Sequence, residues 1–248
     1  MSGPTQPTKP MKRRLLDRLL LAARVEAVKQ VAPRLRQVTL AGPELAGLAW
    51  IPGQHVRLQV GPTHPSFDWL VGTLRTYSVW DYDGQKLELI VFDHGDTNGP
   101  GADWGRSAQP GDELMLLKPE GSFVTGEAGY HLFVGDETAQ VAFGPMVRAL
   151  PADARVFGCV EVDTPQERLD LGRELHFGYR RGMPAASSTT LVASVQNLDL
   201  PTGPGLAYLA GEARTIQMVR RHLVEERNWP RRNVRTKPFW TPGRKGLD

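Results

Sequence analysis

The sequence of 248 residues predicts a small closed barrel of six antiparallel β-strands, followed by an α/β unit built on a parallel sheet. Two observations lead to this fold class. Short segments of alternating apolar and polar residues, separated by turn signals, fill residues 22–124. Beyond residue 125, apolar strands alternate with segments of helical periodicity. We therefore divide the chain into a basic extension (1–21), a barrel (22–124) and an α/β unit with a basic tail (125–248).

The barrel strands are predicted from the period-two alternation of side chains. In order, they are two strands that meet near Ala32-Pro33, then Gly53 to Val60, Arg75 to Tyr82, Lys86 to Phe92 and Leu114 to Leu117. Asp83-Gly84 stands between the fourth and fifth strands and is typical of a tight hairpin. Before the barrel, Met11 to Leu21 is expected to form a short basic helix.

The α/β unit is predicted from four apolar strands with helical segments between them. These strands are His131 to Val134, Arg155 to Val162, Glu174 to Tyr179 and Leu206 to Ala210. A parallel sheet with helices on both faces explains this order. Ligands of such sheets bind beyond the carboxyl ends of the strands, and Gly135-Asp136 and Gly211-Glu212 are predicted to lie there.

Two helices of this unit show clear periodicity. Ala139 to Leu150 has apolar residues at helical spacing, but Gly144-Pro145 interrupts it and predicts a kink or two short pieces. A later helix is predicted to run through Arg227, with Ile216, Val219 and Leu223 facing inward.

Composition excludes several classes of protein. No apolar run reaches the roughly 20 residues that a membrane helix needs, so membrane insertion is not expected. The early apolar run Leu15 to Ala23 is interrupted by Asp17 and Arg18, which argues against a signal peptide and favours the cytoplasm. The single cysteine, Cys159, lies in an apolar strand and is expected to be a buried, inert thiol.

The stretch from Leu74 to Phe123 concentrates residues that suit a flavin nucleotide. Arg75 and Tyr77 share one face of a predicted strand, which combines a cation for a diphosphate with a ring for an isoalloxazine. Between His94 and Trp104, a Gly-rich turn enters a short helix whose N-terminus suits an anion. The sequence therefore predicts a flavin site.

This stretch resembles the siderophore-interacting protein family, the ferric-siderophore reductases related to ferredoxin reductases. The residues that carry the resemblance are Arg75-Thr76-Tyr77-Ser78, His94-Gly95, Gly99-Pro100, Trp104-Gly105, Pro110-Gly111-Asp112 and Gly121-Ser122-Phe123. The segments GDETA, VEVDTPQERLDL, AGEARTIQMVRRHLVEER and KPFWTPGRKG extend it from about Ala22 to Gly246. The chain departs from the family pattern at Gly105, where alanine is usual, at Gln140-Val141, where an aliphatic residue and proline are usual, and at Thr241, where arginine is common.

The resemblance implies FAD as the cofactor and NADPH or NADH as the electron donor. It places Tyr77 against the flavin ring and Ser78 near flavin N5, which makes these two the candidate catalytic residues. The cofactor-binding residues that it implies are Arg75, Thr76, Tyr77, Ser78, Asp93, His94, Gly99, Pro100, Gly101, Ala102, Trp104, Asp136, Thr138 and Ala139. For Asp136 and Thr138, helix capping is the alternative role. A pocket for the NADPH 2′-phosphate would use Arg180-Arg181 or Arg214.

The expected reaction is electron transfer from NAD(P)H through FAD to ferric iron in a siderophore. Ferric iron is a hard ion that oxygen chelators hold tightly, whereas ferrous iron is held less well, so reduction releases it. The sequence shows no metal-ligand spacing, so the iron is expected to arrive and leave with its chelator. By resemblance, a basic lip for an anionic siderophore would use Arg57, Arg244 and Lys245. A monomer is expected, and the siderophore itself is not identified.

Two other kinds of function are compatible with these sequence features. A general flavin reductase or a reductase for a protein acceptor would share the same fold. The latter usually ends in an aromatic residue over the flavin, and although Phe239 and Trp240 lie near the end, the basic stretch continues past them. A nucleic-acid-binding protein is the alternative from another class, since residues 1–36 hold nine Lys/Arg against two Asp/Glu. No nucleic-acid-binding motif supports it, so no nucleic-acid partner is expected.

Overall fold

The computed structural model of the protein describes residues 20–60, 74–95 and 100–243. Within these ranges, six antiparallel strands close into a barrel, and five parallel strands form an open sheet with helices on both faces. The predicted fold class is confirmed. No helix in the described ranges is long and apolar enough to cross a membrane.

The barrel is built as period-two alternation predicts. Its strands are β1 (Leu20–Ala32), β2 (Leu35–Ala41), β3 (His55–Gln59), β4 (Leu74–Tyr82), β5 (Leu87–Phe92) and β6 (Glu113–Leu117), which close in the order β1-β2-β5-β4-β3-β6. On β3, Val56 and Leu58 are fully buried in the barrel core, whereas Arg57 between them is partly exposed. The hairpin at Asp83-Gly84 is also confirmed, because the Asp83 carboxylate accepts two backbone N–H bonds at 2.8 and 2.7 Å and Gly84 has a φ of 94°.

The basic helix predicted for residues 11–21 lies almost entirely outside the described residues. Its last two residues, Leu20 and Leu21, belong to β1 and pair with Leu117 and Leu116 of β6. For these two residues the helix prediction is wrong, since their apolar side chains close the barrel by pairing with its last strand.

The parallel sheet contains one more strand than predicted. Its strands are β7 (His131–Asp136), β8 (Val156–Val162), β9 (His176–Tyr179), β10 (Leu206–Glu212) and β11 (Val234–Trp240), in the order β11-β10-β7-β8-β9. The missed strand, β11, lies at the edge and carries Arg235, Lys237 and Pro238, so it has no apolar run to identify it. On β8, Cys159 is fully buried, and burial raises the pKa of its thiol to about 12, as expected for an inert cysteine.

The helices pack on both faces of the sheet. They are α1 (Pro100–Ser107), which belongs to the barrel, and α2 (Gln140–Arg148), α3 (Thr189–Gln196) and α4 (Ala213–Arg221). Helix α2 contains Pro145 yet runs as one helix, so the predicted division into two pieces does not occur. A proline removes one intrahelical hydrogen bond, and here the fully buried Phe143 and Met146 hold the helix on the sheet.

Helix α4 continues as a π-helical segment, His222–Glu226, so the helical stretch ends just before Arg227. The three residues predicted to face inward, Ile216, Val219 and Leu223, are buried against the sheet, as expected.

The barrel and the sheet share one apolar core at their junction. Leu35, Ile90 and Phe123 from the barrel side pack in the same cluster as Phe133 and Phe143 from the sheet side. The junction is therefore continuous packing, and it holds β4 in front of the sheet.

Trp80 of β4 packs against α2 across this junction. Its ring lies against Gly144 of α2, where an added Cβ would come within 2.3 Å of the ring. The Arg148 guanidinium stacks on the same ring at 4.3 Å and donates to the Trp80 carbonyl oxygen at 2.8 Å. Any residue larger than glycine at position 144 would require the Trp80 ring to move.

Candidate functional site

The strand β4 has an open edge where its candidate residues lie. From Leu74 to Ser78 it pairs with β3, and its pairing with β5 on the other side begins only at Val79. Among the described residues, no strand therefore pairs with the other edge of residues 74–78. This leaves backbone groups of Thr76 and its neighbours available to a ligand at the point where the sequence predicts a flavin.

Tyr77 is fixed between β4 and α1. Its hydroxyl donates to the Gly101 carbonyl oxygen at 3.0 Å, and its ring packs on Trp104 with 5.2 Å between ring centroids. Burial raises the pKa of the Tyr77 hydroxyl well above its usual value, and the positive charge of Arg75 only partly opposes this. The Tyr77 ring is therefore a fixed, uncharged aromatic surface at the open edge of β4.

Gly101 lets α1 approach Arg75 and Tyr77 closely. A Cβ at this position would lie 3.0 Å from the Tyr77 hydroxyl and 3.3 Å from Arg75 Cγ. The first turn of α1, its proline Pro100 and the neighbouring Ala102 thus stand directly beside the guanidinium-bearing side chain. Arg75, Tyr77 and the start of α1 therefore lie together, whereas residues 96–99 of the predicted Gly-rich turn lie outside the described residues.

The opposite end of α1 is held by arginines. Arg36 of β2 donates to the carbonyl oxygens of Gly105 and Arg106 at 2.5 Å and of Ala108 at 3.0 Å. Arg106 in turn contacts Asp93 at 2.9 Å, and Asp93 also accepts the Gly95 N–H at 2.9 Å. In the structure, Asp93 orders the loop that carries His94.

His94 connects the barrel to the sheet. Its ring lies 4.8 Å from that of Phe92 and 5.8 Å from that of Trp240 at the end of β11. Burial lowers the pKa of His94, an effect that Glu137 opposes and Arg34 assists. The imidazole is therefore neutral at pH 7 and lies where barrel and sheet meet.

Asp136 and Thr138 serve an internal junction at the carboxyl ends of the strands. The Asp136 carboxylate accepts from the Thr138 N–H at 2.9 Å and from its hydroxyl at 2.5 Å. It also accepts from the Glu212 N–H and from Trp240 Nε1, both at 2.8 Å. These bonds tie β7, β10 and β11 together, and Ala139 follows as the N-cap residue of α2. The contact of these residues with FAD stays a prediction.

A buried charge network lies at the same edge of the sheet, and its pairing was not predicted from the sequence. Arg180 makes a bidentate pair with Glu137 at 2.6 and 2.5 Å, and its guanidinium lies 3.7 Å from Glu161. Burial raises the pKa of both carboxyl groups, opposed by Arg180 and, for Glu161, most strongly by a hydrogen bond from Ser188. Arg180 is thus committed inside the fold, whereas its neighbour Arg181 is exposed.

Arg34 extends this network across the junction. It lies in the turn between β1 and β2 and pairs with Glu167 through two contacts of 2.6 Å. It also reaches Glu137 at 3.4 Å and stacks on Phe92 at 4.8 Å. One barrel arginine therefore joins the buried carboxylates of the sheet.

A second cluster that the sequence only partly anticipated comprises His55, Arg57, Glu120 and Lys237; we call it the lip cluster. Arg57 Nε lies 3.0 Å from Glu120 Oε1, but the angle does not make a hydrogen bond, so the attraction is Coulombic. Lys237 of β11 contacts His55 Nδ1 at 2.7 Å. Burial lowers the pKa of Lys237 to about 8, with Arg57 acting in the same direction and Glu120 against it.

Three predicted site residues, Gly99, Arg244 and Lys245, lie outside the described residues. Arg57 lies in the lip cluster, and the remaining predicted residues lie along the open edge of β4, on α1 and its approach, or at the carboxyl edge of the sheet. Within the described ranges, no group of three or more His, Cys, Asp or Glu residues could hold a metal ion.

Two family models match this chain. Residues 24–123 match the siderophore-interacting FAD-binding domain, and residues 128–243 match the siderophore-interacting protein model. The chain thus contains an FAD-binding domain, and the residues gathered at β4 and α1 suit that cofactor.

Individual relatives agree with these models. The chain is 25% identical over 243 residues to the ferric vibriobactin reductase ViuB of Vibrio cholerae, with 87% of each chain covered. It is 25% identical over 193 residues to an NADPH-dependent ferric-chelate reductase of Escherichia coli, covering 73% of this chain and 68% of the relative. Among solved structures, a siderophore utilization protein from T. fusca superimposes with a TM-score of 0.78 at 27% identity, covering 92% of this chain and 95% of that one.

Proposed function

The chain belongs to the siderophore-interacting protein family, and we propose from this premise that it passes electrons from NADPH or NADH, through FAD, to ferric iron held by a siderophore. The reduced iron then leaves the chelator. The observation that carries the proposal is the convergence of Arg75, Tyr77 and Gly101 at the open edge of β4, in front of the sheet.

The residues at this edge have distinct roles in the proposal. Arg75 pairs with the FAD diphosphate, because a guanidinium matches two phosphate oxygens at once. Tyr77 supplies the plate for the flavin ring, and its buried hydroxyl is already bonded, so the ring does not turn away. Ser78 hydrogen-bonds flavin N5 through its hydroxyl. The glycine at position 101 lets the first turn of α1, whose N-terminus suits a phosphate, lie against Arg75.

FAD suits this reaction because, when bound, it takes an electron pair from a nicotinamide nucleotide and gives electrons singly to a ferric acceptor. The cofactor would lie between barrel and sheet, where the rings of His94 and Trp240 are 5.8 Å apart. Ferric iron is the substrate. It arrives and leaves with its chelator, since the described residues offer it no ligand set.

The nicotinamide nucleotide docks at the carboxyl edge of the sheet in this proposal. Arg180 is an unsuitable partner for a 2′-phosphate, because its guanidinium is bound to Glu137 and is buried. Arg181 and Arg214 remain as candidates. The test replaces Arg181 and Arg214 separately by alanine and compares kcat/KM with NADPH and with NADH. If the unaltered protein has equal kcat/KM values for the two nucleotides, neither arginine selects for the 2′-phosphate.

The flavin site is tested most simply by binding. Arg75→Ala is expected to weaken FAD binding about 30-fold, the equivalent of losing roughly 2 kcal/mol of charge-assisted hydrogen bonding. The matched control is Arg24→Ala, which removes an exposed arginine from β1 of the same barrel. Titration of apoprotein with FAD, followed by flavin fluorescence, measures both. Equal affinities for the two variants would contradict the role of Arg75.

Three further expectations complete the proposal. Residues 22–124 form the FAD-binding unit and residues 125–248 the nicotinamide-nucleotide-binding unit, in line with the bounds of the two family models. The protein acts as a monomer. It acts in the cytoplasm, where the reduced nucleotides are supplied and where a chain with one buried cysteine needs no disulfide.

A further inference from the structure

The lip cluster contains a lysine that holds its proton loosely. The Lys237 ammonium group donates to His55 Nδ1 at 2.7 Å, so its hydrogen-bond partner is a neutral imidazole instead of a carboxylate. Burial lowers the pKa of Lys237 to about 8, the positive charge of Arg57 acts in the same direction, and Glu120 opposes both. Within the described ranges, His55, Arg57 and Glu120 are the titratable groups that contact Lys237 or shift its pKa.

The pairing of β3 with β4 places this lysine beside the predicted position of flavin N5. His55 lies directly opposite Ser78, and directly opposite residues project from the same face of a sheet with their Cβ atoms about 5 Å apart. Lys237 reaches the His55 ring from β11 and is partly exposed. A chelate that approaches Ser78 along this face would therefore meet the Lys237 ammonium group.

The two cations of the lip cluster lack a hydrogen-bonded anionic oxygen among the described residues. Arg57 Nε is buried and lies 3.0 Å from Glu120 Oε1, but the angle does not make a hydrogen bond. The hydrogen bond of Lys237 goes to a ring nitrogen. Because buried cations are normally paired with anions, this arrangement suits the anionic donor oxygens of the chelate in the proposed function.

Reduction of the iron makes the donor oxygens of its chelator more basic. Ferric iron polarises these oxygens strongly and ferrous iron does so less, so a bound oxygen takes up a proton more readily after reduction. A phenolic oxygen has a pKa near ~10, as in tyrosine, which is above the pKa of Lys237. Proton transfer from the ammonium group to a phenolate oxygen is therefore favourable, and the protonated oxygen is a much weaker ligand for iron.

We propose that Lys237 is a catalytic residue of iron release, whose ammonium group donates a proton to a donor oxygen of the chelate once the iron has been reduced. The Nζ–H bond breaks, a new O–H bond forms, and the bond between that oxygen and ferrous iron dissociates. The reductant is that of the proposed function, on which this inference rests because it concerns the same site. The neutral amine then takes a proton from water at the exposed side of the cluster.

The test separates the charge of Lys237 from its proton. Lys237→Arg keeps the positive charge, but an arginine does not release its proton near neutral pH. Lys237→Met removes both the charge and the proton. The matched control is Lys86→Arg, at a lysine on the barrel surface that pairs with Glu26 at 2.7 Å.

Binding and iron release are measured separately on the FAD-loaded protein. Binding uses the Ga³⁺ complex of a tris-catecholate, because Ga³⁺ resembles Fe³⁺ in size and charge but is not reduced. For release, protein reduced anaerobically with NADPH or NADH is mixed with saturating ferric tris-catecholate and a chromogenic ferrous chelator. Flavin absorbance then reports electron transfer, and the chromogenic chelator reports ferrous iron, at several pH values between pH 6 and pH 9.

The unaltered protein should release iron more slowly as pH rises through about 8, because the protonated form of Lys237 is lost. Lys237→Arg should bind the gallium complex as tightly as the unaltered protein, yet release iron about 100-fold more slowly at pH 7 and without that pH dependence. Lys237→Met should both bind the gallium complex more weakly and release iron slowly. Lys86→Arg should match the unaltered protein in both measurements.

Two results would overturn the inference and leave the proposed function standing. One is iron release by Lys237→Arg at the unaltered rate, which would show that a positive charge alone is enough. The other is a release rate of the unaltered protein that stays constant between pH 7 and pH 9, which decides the matter even if the variants fail to fold. If the ferric chelate does not reoxidise the reduced flavin, the proposed function itself fails.

Discussion

The buried pair of Arg180 and Glu137 offers a quantitative test of how the sheet edge is built. The two side chains are 5% and 4% exposed and share two bonds of 2.6 and 2.5 Å. Among the described residues, replacing Arg180 by methionine leaves Glu137 with the 3.4 Å contact to Arg34 as its remaining ion pair and leaves Glu161 without its cation. Breaking a buried pair from one side costs about 3–5 kcal/mol, a large part of the 5–15 kcal/mol that typically stabilises a domain.

The assay is unfolding by urea at pH 7, with Arg180→Met, Glu137→Gln and the double variant compared in one cycle. The double variant should be more stable than Arg180→Met alone, because no unpaired carboxylate then remains at position 137. Arg181→Met is the control: this exposed neighbour should change the stability by less than about 0.5 kcal/mol. A loss below about 1 kcal/mol for Arg180→Met would refute the reasoning.

The loss of stability caused by Arg180→Met should depend on pH. Burial, the largest influence, raises the pKa of Glu137 above its unfolded value, and Arg180 opposes this. A carboxyl group with a raised folded pKa destabilises the fold above that pKa, and the cost disappears as pH falls toward the unfolded value. Without Arg180 the pKa rises further, so the deficit of Arg180→Met should narrow between pH 7 and pH 5. A deficit that widens on acidification would contradict this.

Two other regions give predictions of their own. Gly144→Ala places a methyl group within 2.3 Å of the Trp80 ring and should destabilise the protein by about 1–3 kcal/mol, whereas Gly129→Ala, with open space around it, should not; thermal unfolding compares them. Lys237 has its pKa lowered to about 8 by burial, so it loses its charge as pH rises through that value. Binding of an anionic gallium chelate should therefore weaken between pH 7 and pH 9, and this weakening should be absent in Lys237→Met.

Much of the fold was predictable because its signals are local. Barrel strands such as β3 alternate buried and exposed residues within five positions, and Asp83-Gly84 specifies its hairpin by backbone conformation alone. The edge strand β11 was missed because an edge strand needs no apolar run, and its residues are mainly charged or partly exposed. Helix α2 was expected to kink or to divide into two pieces at Gly144-Pro145, but it runs as one helix because its burial on the sheet outweighs one lost hydrogen bond.

The structure gives physical reasons for two of the departures from the family pattern, those at Gly105 and Gln140. A Cβ at Gly105 would lie 2.5 Å from Val91 Cγ1, so the usual alanine would require the Val91 side chain to move. The Gln140 side chain donates to the Glu167 carbonyl oxygen at 3.0 Å and accepts the Leu169 N–H at 2.8 Å, which pins the loop after β8. These roles depend on residues far apart in the chain and have no local sequence signal.

Some contacts of the candidate site were predictable from the sequence, and others were not. The convergence of Arg75, Tyr77 and the Gly101 turn was predictable, since a strand and the next turn meet within about thirty residues. The lip cluster was not, because Lys237 and His55 are separated by 182 positions. Likewise, Arg34 and Glu167 are 133 positions apart, and only the folded chain brings them together.

Anaerobic stopped-flow spectroscopy of the FAD-loaded protein tests the central claim most directly. The flavin is first reduced with NADPH or NADH and then mixed with a ferric siderophore, with free flavin or with a ferredoxin, while absorbance near 450 nm (roughly, for any oxidised flavin) and ferrous iron are followed. The account predicts rapid reoxidation by the ferric siderophore, with two ferrous ions released per flavin. Reoxidation by free flavin or ferredoxin alone, with no ferrous iron formed, would contradict it.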